Sequence, residues 1–253
     1  MKKIITNNFL VNQKKTTDLD LRLLLEKLLK KAPMQNNDLM QNISIFLDRR
    51  SFSRILMFIE YFNLQKNLSG DIALFGSHYG RDAIILLHLL QNITPDSNKK
   101  IYVFDSFAGI IGSQKKEDKV MCDGSYKVEK NFYEYFSNLC KIQSQFSKFQ
   151  KNQIQIIKGD VRKTFPKFLN KNKHLYFSFL YFDMDIYAPT HTVLNLIGKK
   201  YLHKGSIIAF DEFQCDIFKG ESLAFRNYSK KIKKNFKIFT NSFSSRGSYV
   251  IMD

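Results

Sequence analysis

Two pairs of acidic residues stand at the ends of the most apolar stretches of the sequence. Asp183 and Asp185 end the stretch LYFSFLYFDMD, and Asp211 and Glu212 follow GSIIAF. Neighbouring carboxylates repel each other unless a proton or a cation compensates their charge. Because no Cys or His pattern accompanies them, these oxygen ligands favour Mg²⁺ or Ca²⁺, and a partly hydrated Mg²⁺ suits an enzyme cleft better. The alternative is that Asp183 and Asp211 are buried caps or turn formers.

Glycines and single aspartates follow three earlier apolar stretches. Gly76 and Gly80, in FGSHYGR, allow the backbone to turn tightly and approach a ligand at a helix N-terminus, although a simple strand-to-helix turn also explains them. Asp105 suits the two hydroxyls of a ribose, or it caps a turn. Asp160 suits the amino group of an adenine, or it is the N-cap of the next helix.

Two histidines and a tyrosine lie near the same positions. His78 and His191 are candidate bases, although a lone histidine is more often a polar surface or helix residue. Tyr187 follows the first acidic pair, where it either forms a wall of the pocket or packs as an ordinary aromatic residue.

The elements that must position these residues follow an alternating pattern from residue 70 onward. Short apolar runs, each followed by a helical pattern, are typical of a mostly parallel sheet that is buried on both faces. The stretch APTHTVLNLIGKKYL predicts a helix, and the final stretches NFKIFTNSF and GSYVIMD predict an antiparallel pair. Ligands of such α/β sheets bind beyond the carboxyl ends of the strands, where the acidic residues stand.

The patterning also predicts how the chain is organised. Residues 1–68 contain two amphipathic helical patterns and form a helical N-terminal extension, whereas residues 69–253 form one α/β domain. A polar insertion with one helical pattern, residues 108–150, interrupts the domain. An insertion of this size is often a lid or a substrate-binding segment.

Composition narrows the class of protein. The 253 residues carry a net charge of +17, which suits an anionic ligand. The lysines are spread along the chain and there is no arginine-rich arm, so specific nucleic-acid binding is disfavoured. No apolar run is long enough to span a membrane, and the N-terminal sequence is a poor secretory signal. The three cysteines have no paired spacing, which argues against a disulfide or zinc framework and for a cytoplasmic location.

The motifs resemble, in their order, those of the macrocin O-methyltransferase (TylF-like) family over roughly residues 49–230. They are IALFGSHYGRDAI, VFDSFAGI, IKGDVRKTFP, YFDMDIYAPT, GSIIAFDEF and KGESLAF. The resemblance implies a Rossmann-like class I methyltransferase fold, with a seven-stranded, mostly parallel sheet and an antiparallel C-terminal strand. It also implies transfer of a methyl group from S-adenosylmethionine to a sugar hydroxyl, with Mg²⁺ as a second cofactor.

The resemblance implies a role for each matching residue. Mg²⁺ would be held by Asp185, Asp211 and Glu212, and Asp183 or Asp185 would accept the hydroxyl proton. The residues expected to contact S-adenosylmethionine are Phe75, Gly76, Ser77, Gly80, Asp105, Ser106, Phe107, Gly159, Asp160 and Asp183. The expected partner is a nucleotide-linked, glycan or natural-product sugar, and a homo-oligomer is compatible with the family.

Two departures from the family pattern leave alternatives open. Leu74 occupies the position of an acidic residue in the first strand, and Glu212 stands where the macrolide-tailoring members have Asp. One competing interpretation is a methyltransferase of RNA or other nucleic acid on the same fold, which the positive charge favours and the acidic cleft opposes. Another is a catalytically decayed binding module, which Leu74 favours.

Overall fold

The computed structural model describes residues 3–6, 9–12, 17–114, 116–118, 121–147, 151–198 and 200–253. Contacts between residues divide the chain into two compact units, residues 1–54 and 55–253. The sequence placed this division after residue 68. The difference arises because Met57, Phe58 and Tyr61 are completely or almost completely buried in the core of the second unit.

The first unit begins with an antiparallel hairpin that the sequence did not predict. It pairs β1 (Lys3–Thr6) with β2 (Phe9–Asn12). The helix α1 (Asp18–Lys30) starts with a capping box between Thr17 and Asp20, as the acid three residues after a threonine indicates. The remaining elements of the unit are α2 (Asn36–Gln41), a 3-10 helix (Ile43–Phe46) and the start of α3 (Arg49–Gln65).

The second unit contains a seven-stranded sheet flanked by helices. Its strands are β3 (Asp71–Phe75), β4 (Ile101–Asp105), β5 (Ile154–Lys158), β6 (Phe177–Phe182), β7 (Leu202–Phe210), β8 (Ile238–Thr240) and β9 (Ser248–Ile251). Its further helices are α4 (Arg81–Ile93), α5 (Phe132–Ser144), α6 (Val161–Lys171), α7 (Tyr187–Ile197) and α8 (Gly220–Lys231). The strand order is β5-β4-β3-β6-β7-β9-β8, and only β9 runs antiparallel to its neighbours. The predicted fold class is confirmed.

The sheet is buried on both faces, as unbroken apolar strands require. Every residue of β6 is buried, with no alternation between polar and apolar positions. One apolar cluster lies between the sheet and helices α6, α7 and α8, where Phe165, Val193 and Phe225 pack. A second cluster lies between the other face and helices α3, α4 and α5.

Helix α7 is shorter than the sequence predicted. It ends at Ile197, and Gly198 follows with a φ of 47°; β7 begins at Leu202, the last residue that the sequence assigned to the helix. No helix in the part of the chain that the structure describes is long and apolar enough to cross a membrane.

The strand order places a topological switch point between β3 and β6. β3 pairs in parallel with β4 on one side and with β6 on the other, so the connecting helices lie on opposite faces. A crevice forms beyond the carboxyl ends of strands at such a point, which is where open α/β sheets bind ligands.

Candidate active site

A cavity of about 440 Å³ opens beyond the carboxyl ends of β3, β4, β6 and β7. This volume lies in the range of small-molecule sites. Of the residues to which the motif pattern gives a role in binding or catalysis, all line the cavity except Phe75 and Gly80. Those that do are Gly76, Ser77, Asp105, Ser106, Phe107, Gly159, Asp160, Asp183, Asp185, Asp211 and Glu212.

The glycines after β3 are required by close contacts. Gly76 has a φ of 89°, and a Cβ atom there would lie 1.9 Å from the carbonyl oxygen of Asp183. Gly80 is the N-cap of α4 in the left-handed conformation, and its Cβ would lie 2.1 Å from the ring of Phe136. The loop between β3 and α4 can therefore lie close to both neighbouring elements only with glycine at these positions.

Asp105, the last residue of β4, holds the glycine loop in place. Its Oδ2 accepts hydrogen bonds from the backbone N–H groups of Ser77, at 2.7 Å, and His78, at 3.0 Å. Its Oδ1 accepts from the N–H of Phe107 at 2.7 Å. A carboxylate oxygen can accept more than one hydrogen bond, so Oδ1 retains acceptor capacity toward the cavity.

Asp160 is the N-cap of α6, which the sequence offered as one of two roles. Its side chain accepts from the N–H of Arg162 and forms an ion pair with the guanidinium, with a shortest distance of 2.7 Å. Burial alone would raise the pKa of Asp160, but the hydrogen bonds and charge of Arg162 outweigh it, and the pKa lies below its ordinary value. The carboxylate is thus kept ionised at the cavity wall.

The two acid-bearing turns lie on neighbouring strands. Asp183 and Asp185 follow β6, and Asp185 adopts a φ of 61°, unusual for a residue with a side chain. Asp211 follows β7 and accepts a hydrogen bond from the buried Tyr181 hydroxyl at 2.6 Å. Glu212 forms an ion pair with Arg246 at 3.0 Å. As the sequence predicted, the two acidic pairs lie at the same edge of the sheet, where both line the cavity.

A fifth carboxylate, Glu221, lies behind the two turns. It is completely buried at the start of α8 and accepts backbone N–H groups from both turns. Burial raises the pKa of Glu221 well above its ordinary value, and the charges of Asp185, Asp183 and Asp211 raise it further. Glu221 is thus within electrostatic range of three aspartates that lie at or beside the cavity.

The insertion supplies the remaining wall of the cavity. Tyr126, with a φ of 58°, lines it, and burial together with the charges of Asp185 and Asp183 raises the pKa of its hydroxyl. Asp118 attaches the insertion to the domain by accepting the N–H of Tyr187, at the start of α7, at 2.8 Å. The predicted single helix of the insertion is α5; residues 115, 119–120 and 148–150 lie outside the described part.

The sequence model of the macrocin O-methyltransferase (TylF) family matches residues 49–239. The chain belongs to this family. Members are S-adenosylmethionine-dependent O-methyltransferases, so the family membership identifies the chain as an enzyme and confirms the resemblance inferred from the motifs. Among curated proteins, none matches the chain.

Solved structures with the same fold include two O-methyltransferases. A crystal structure of CalS11, a calicheamicin methyltransferase, is 26% identical, covers 93% of this chain and 93% of that chain, and has a TM-score of 0.85. The apo structure of CalS11, a TDP-rhamnose 3'-O-methyltransferase, is 24% identical with a TM-score of 0.78, covering 93% and 95%. The O-methyltransferase NovP is 18% identical with a TM-score of 0.58, covering 81% and 79%.

Three further residues considered from the sequence, His191, Tyr187 and Leu74, also lie outside the cavity lining. The ring of His191 stacks on Tyr187, and its Nε2 lies 2.9 Å from Asn195; Tyr187 in turn packs against the apolar cluster beside α6, α7 and α8. Leu74 is completely buried in the apolar cluster beside α3, α4 and α5. His78 does line the cavity, and burial lowers the pKa of its ring.

The carboxylate oxygens are of the donor type that binds hard cations, although their side chains do not converge on one point. Within the described residues, no three His, Cys, Asp or Glu side chains converge as a group that could hold a metal ion. The oxygens of Asp185 and Asp211 are nevertheless the donors that Mg²⁺ prefers. Glu212, the third expected ligand, is held in an ion pair with Arg246.

Glu221 and Tyr126 are residues of this methyltransferase site that the sequence did not assign. The motif KGESLAF contained a usable signal, because Glu221, Ala224, Phe225 and Tyr228 follow the spacing of one helix face. All four are buried. An acid on the apolar face of a helix that follows an acidic strand end points toward the site.

Proposed function

We propose that the chain transfers the methyl group of S-adenosylmethionine to a hydroxyl group of a sugar, with Mg²⁺ as the metal cofactor. The observation that carries the proposal is the shared cavity. The glycine turn and Asp105 line one part of it, and Asp183, Asp185 and Asp211 line another. A cofactor and a hydroxyl acceptor bound in one cavity can be held close and oriented, which is the main requirement of methyl transfer.

The cofactor would lie over the ends of β3 and β4. Gly76 leaves room for the methionine part, and Oδ1 of Asp105 would accept hydrogen bonds from the ribose hydroxyls. Gly159 and Asp160 would form the wall beside the adenine. Because both oxygens of Asp160 already bind Arg162, its carboxylate would act here mainly as an ionised wall and helix cap.

The acceptor would lie between Tyr126 and the two acid-bearing turns. Bound S-adenosylmethionine would supply an electrophilic methyl group, to which the hydroxyl oxygen would bond as the carbon–sulfur bond breaks, with S-adenosylhomocysteine as the neutral leaving group. The hydroxyl proton passes to the carboxylate of Asp183 or Asp185. Mg²⁺ held by Asp185, Asp211 and Glu212 would polarise the acceptor hydroxyl and lower its pKa as a Lewis acid.

A nucleotide-linked sugar is the first acceptor to test. CalS11 is a TDP-rhamnose 3'-O-methyltransferase, and its fold matches that of this chain. The net charge of +17 also suits a substrate that carries a diphosphate. Acid-lined cavities disfavour the phosphates of a nucleic acid placed directly against them, which counts against the nucleic-acid alternative.

The test begins with calorimetric titration of the protein with S-adenosylhomocysteine, with and without Mg²⁺. Transfer of labelled methyl from S-adenosylmethionine to TDP-rhamnose, other nucleotide sugars and RNA is then measured. Asp185→Asn and Asp211→Asn are expected to abolish Mg²⁺-dependent transfer while S-adenosylhomocysteine affinity stays within about twofold.

The matched control is Asp71→Asn, at the opposite end of β3. This change removes the same charge from a carboxylate at the amino end of the strand, where it accepts the backbone N–H of Lys100 and lies outside the cavity lining, so transfer is expected to continue. Absence of S-adenosylhomocysteine binding in the wild type would support the decayed binding module. Transfer to RNA but to no sugar would support the nucleic-acid alternative.

A further inference from the structure

Glu221 connects the two acid-bearing turns through a single buried carboxylate. Its Oε1 accepts the backbone N–H of Met184 at 3.0 Å and that of Asp185 at 3.3 Å. Its Oε2 accepts the N–H of Glu212 at 3.3 Å. One turn follows β6 and the other follows β7, so the carboxylate is a direct link between the ends of two neighbouring strands.

The surroundings leave Glu221 little freedom to move. The exposed fraction of its side chain is 0%. The preceding Gly220 lies so close to the β6–α7 turn that a Cβ atom would be 2.5 Å from Tyr187 N and Ile186 C. The first turn of α8 is thus packed directly against the turn that carries Asp185.

Burying the side chain of Glu221 at this position lowers the folding stability of the protein. A carboxylate buried beside three aspartates loses hydration and meets like charges, and an apolar residue on this helix face would avoid both penalties. Asp185 also stays in the left-handed conformation, which is strained for a residue with a side chain, while its N–H is bound to Glu221. Such costs are characteristic of sites where geometry is maintained for function.

We infer that Glu221 is a positioning residue for the methyl transfer, because it sets the separation between the turn of Asp183 and Asp185 and the turn of Asp211 and Glu212. It does not touch the substrate. It acts through the carboxylates that would hold the metal and accept the proton. The inference rests on the proposed function, since the separation of the two turns matters only if both contribute to one site.

The test uses Glu221→Gln, which keeps the size of the side chain. The single remaining oxygen can accept from only one turn, and the new NH₂ group faces a backbone N–H of the other. Mn²⁺ serves as the probe of the metal site, and its binding in the presence of S-adenosylhomocysteine is followed by water-proton relaxation. We expect at least a tenfold loss of Mn²⁺ affinity, with S-adenosylhomocysteine affinity within about twofold of wild type.

The matched control is Glu60→Gln on α3. The Glu60 carboxylate also accepts a backbone N–H, that of Ser242 at 2.9 Å, but it lies outside the cavity lining. Both affinities are expected to be unchanged in this variant. A general structural role of Glu221 would instead weaken both affinities together, so the selective loss of Mn²⁺ binding separates positioning from stability.

The outcomes distinguish this inference from the proposed function. Wild-type Mn²⁺ affinity in Glu221→Gln, or an equal loss of both affinities, overturns the positioning role alone. If the wild-type protein binds no S-adenosylhomocysteine, the proposed function is overturned. If it binds S-adenosylhomocysteine but not Mn²⁺, both the proposed metal cofactor and the positioning role of Glu221 are overturned. If Glu221→Gln does not fold, Glu221→Asp is used, whose shorter carboxylate is expected to give the same selective loss, and wild-type Mn²⁺ affinity overturns the inference.

Discussion

Replacing Gly76 with alanine tests whether the glycine turn and the first acid-bearing turn form one rigid unit. Gly76 has a φ of 89°, and an added Cβ would lie 1.9 Å from Asp183 O and 2.7 Å from Asp183 C. Ordinary van der Waals contact needs at least 3.4 Å, so one backbone must move by about 1.5 Å. The backbone bond from Asp183 N to Phe75 O, 2.8 Å long, resists this movement.

Gly124 provides the matched control for the size of the effect. Its φ is 87°, and an added Cβ would meet nothing within 4 Å. Gly124→Ala therefore contributes only the conformational cost of a side chain at positive φ, about 1–2 kcal/mol. Gly76→Ala carries that cost plus about 2 kcal/mol for overpacking against Asp183, or about 3–4 kcal/mol in total.

Thermal unfolding measures the difference between the two variants. For a chain of this length each kcal/mol lowers the melting temperature by about 2–4 °C, so the difference of about 2 kcal/mol should make Gly76→Ala melt about 4–8 °C below Gly124→Ala. Because the displaced backbone also borders the cavity, S-adenosylhomocysteine affinity should fall at least about tenfold in Gly76→Ala. Equal melting temperatures for the two variants would show that the glycine turn and the turn of Asp183 are not in close steric contact.

Three further predictions concern other parts of the domain. Asp118→Ala removes the carboxylate that accepts the N–H of Tyr187, so amide hydrogen exchange should accelerate in residues 110–125. Unchanged exchange rates would show that this hydrogen bond does not hold the insertion in place. Burial raises the pKa of Cys140 from 9.0 to about 12, so at pH 9 only about one Cys140 thiol in a thousand is the reactive thiolate. Its alkylation should therefore be far slower than that of exposed Cys122, and equal rates by mass spectrometry would contradict this. Lys99→Met removes the buried ammonium that donates to Leu68 O, Gly70 O and Ser178 Oγ, so chemical denaturation should show a loss of about 2–3 kcal/mol with unchanged S-adenosylhomocysteine affinity; a smaller loss would mean that water replaces the ammonium.

The strands of the sheet could be predicted from the sequence because each is short, apolar and bounded by clear turn signals. FSFLYF, for example, became β6 with every residue buried. Helix ends were less predictable. The extension of α7 past Ile197 was wrong because Gly198, with a φ of 47°, ends the helix, and Leu202, the last residue of the predicted helix, pairs with Phe177 as the first residue of β7.

The candidate site was predicted unevenly for a similar reason. Asp105 and Asp211 follow strands directly, and parallel strands deliver such residues to one edge of the sheet. Tyr126 and Asp118 belong to an insertion with no strong periodicity, so its path across the cavity depends on hydrogen bonds that sequence spacing does not encode. Glu221 had a helical-face signal, but its partners come from two distant turns.

The sequence by itself determined the fold class, the order of the strands along the chain and the acidic residues at their ends, because these follow from local apolar patterns and turn chemistry. The family also follows from motif order along the sequence. Only the tertiary structure decided that Asp105 binds the glycine loop, that Asp160 pairs with Arg162, and that one buried glutamate joins the two acidic turns. These arrangements depend on distances across the sheet, which arise when the strands pack side by side and cannot be read from spacing along the chain.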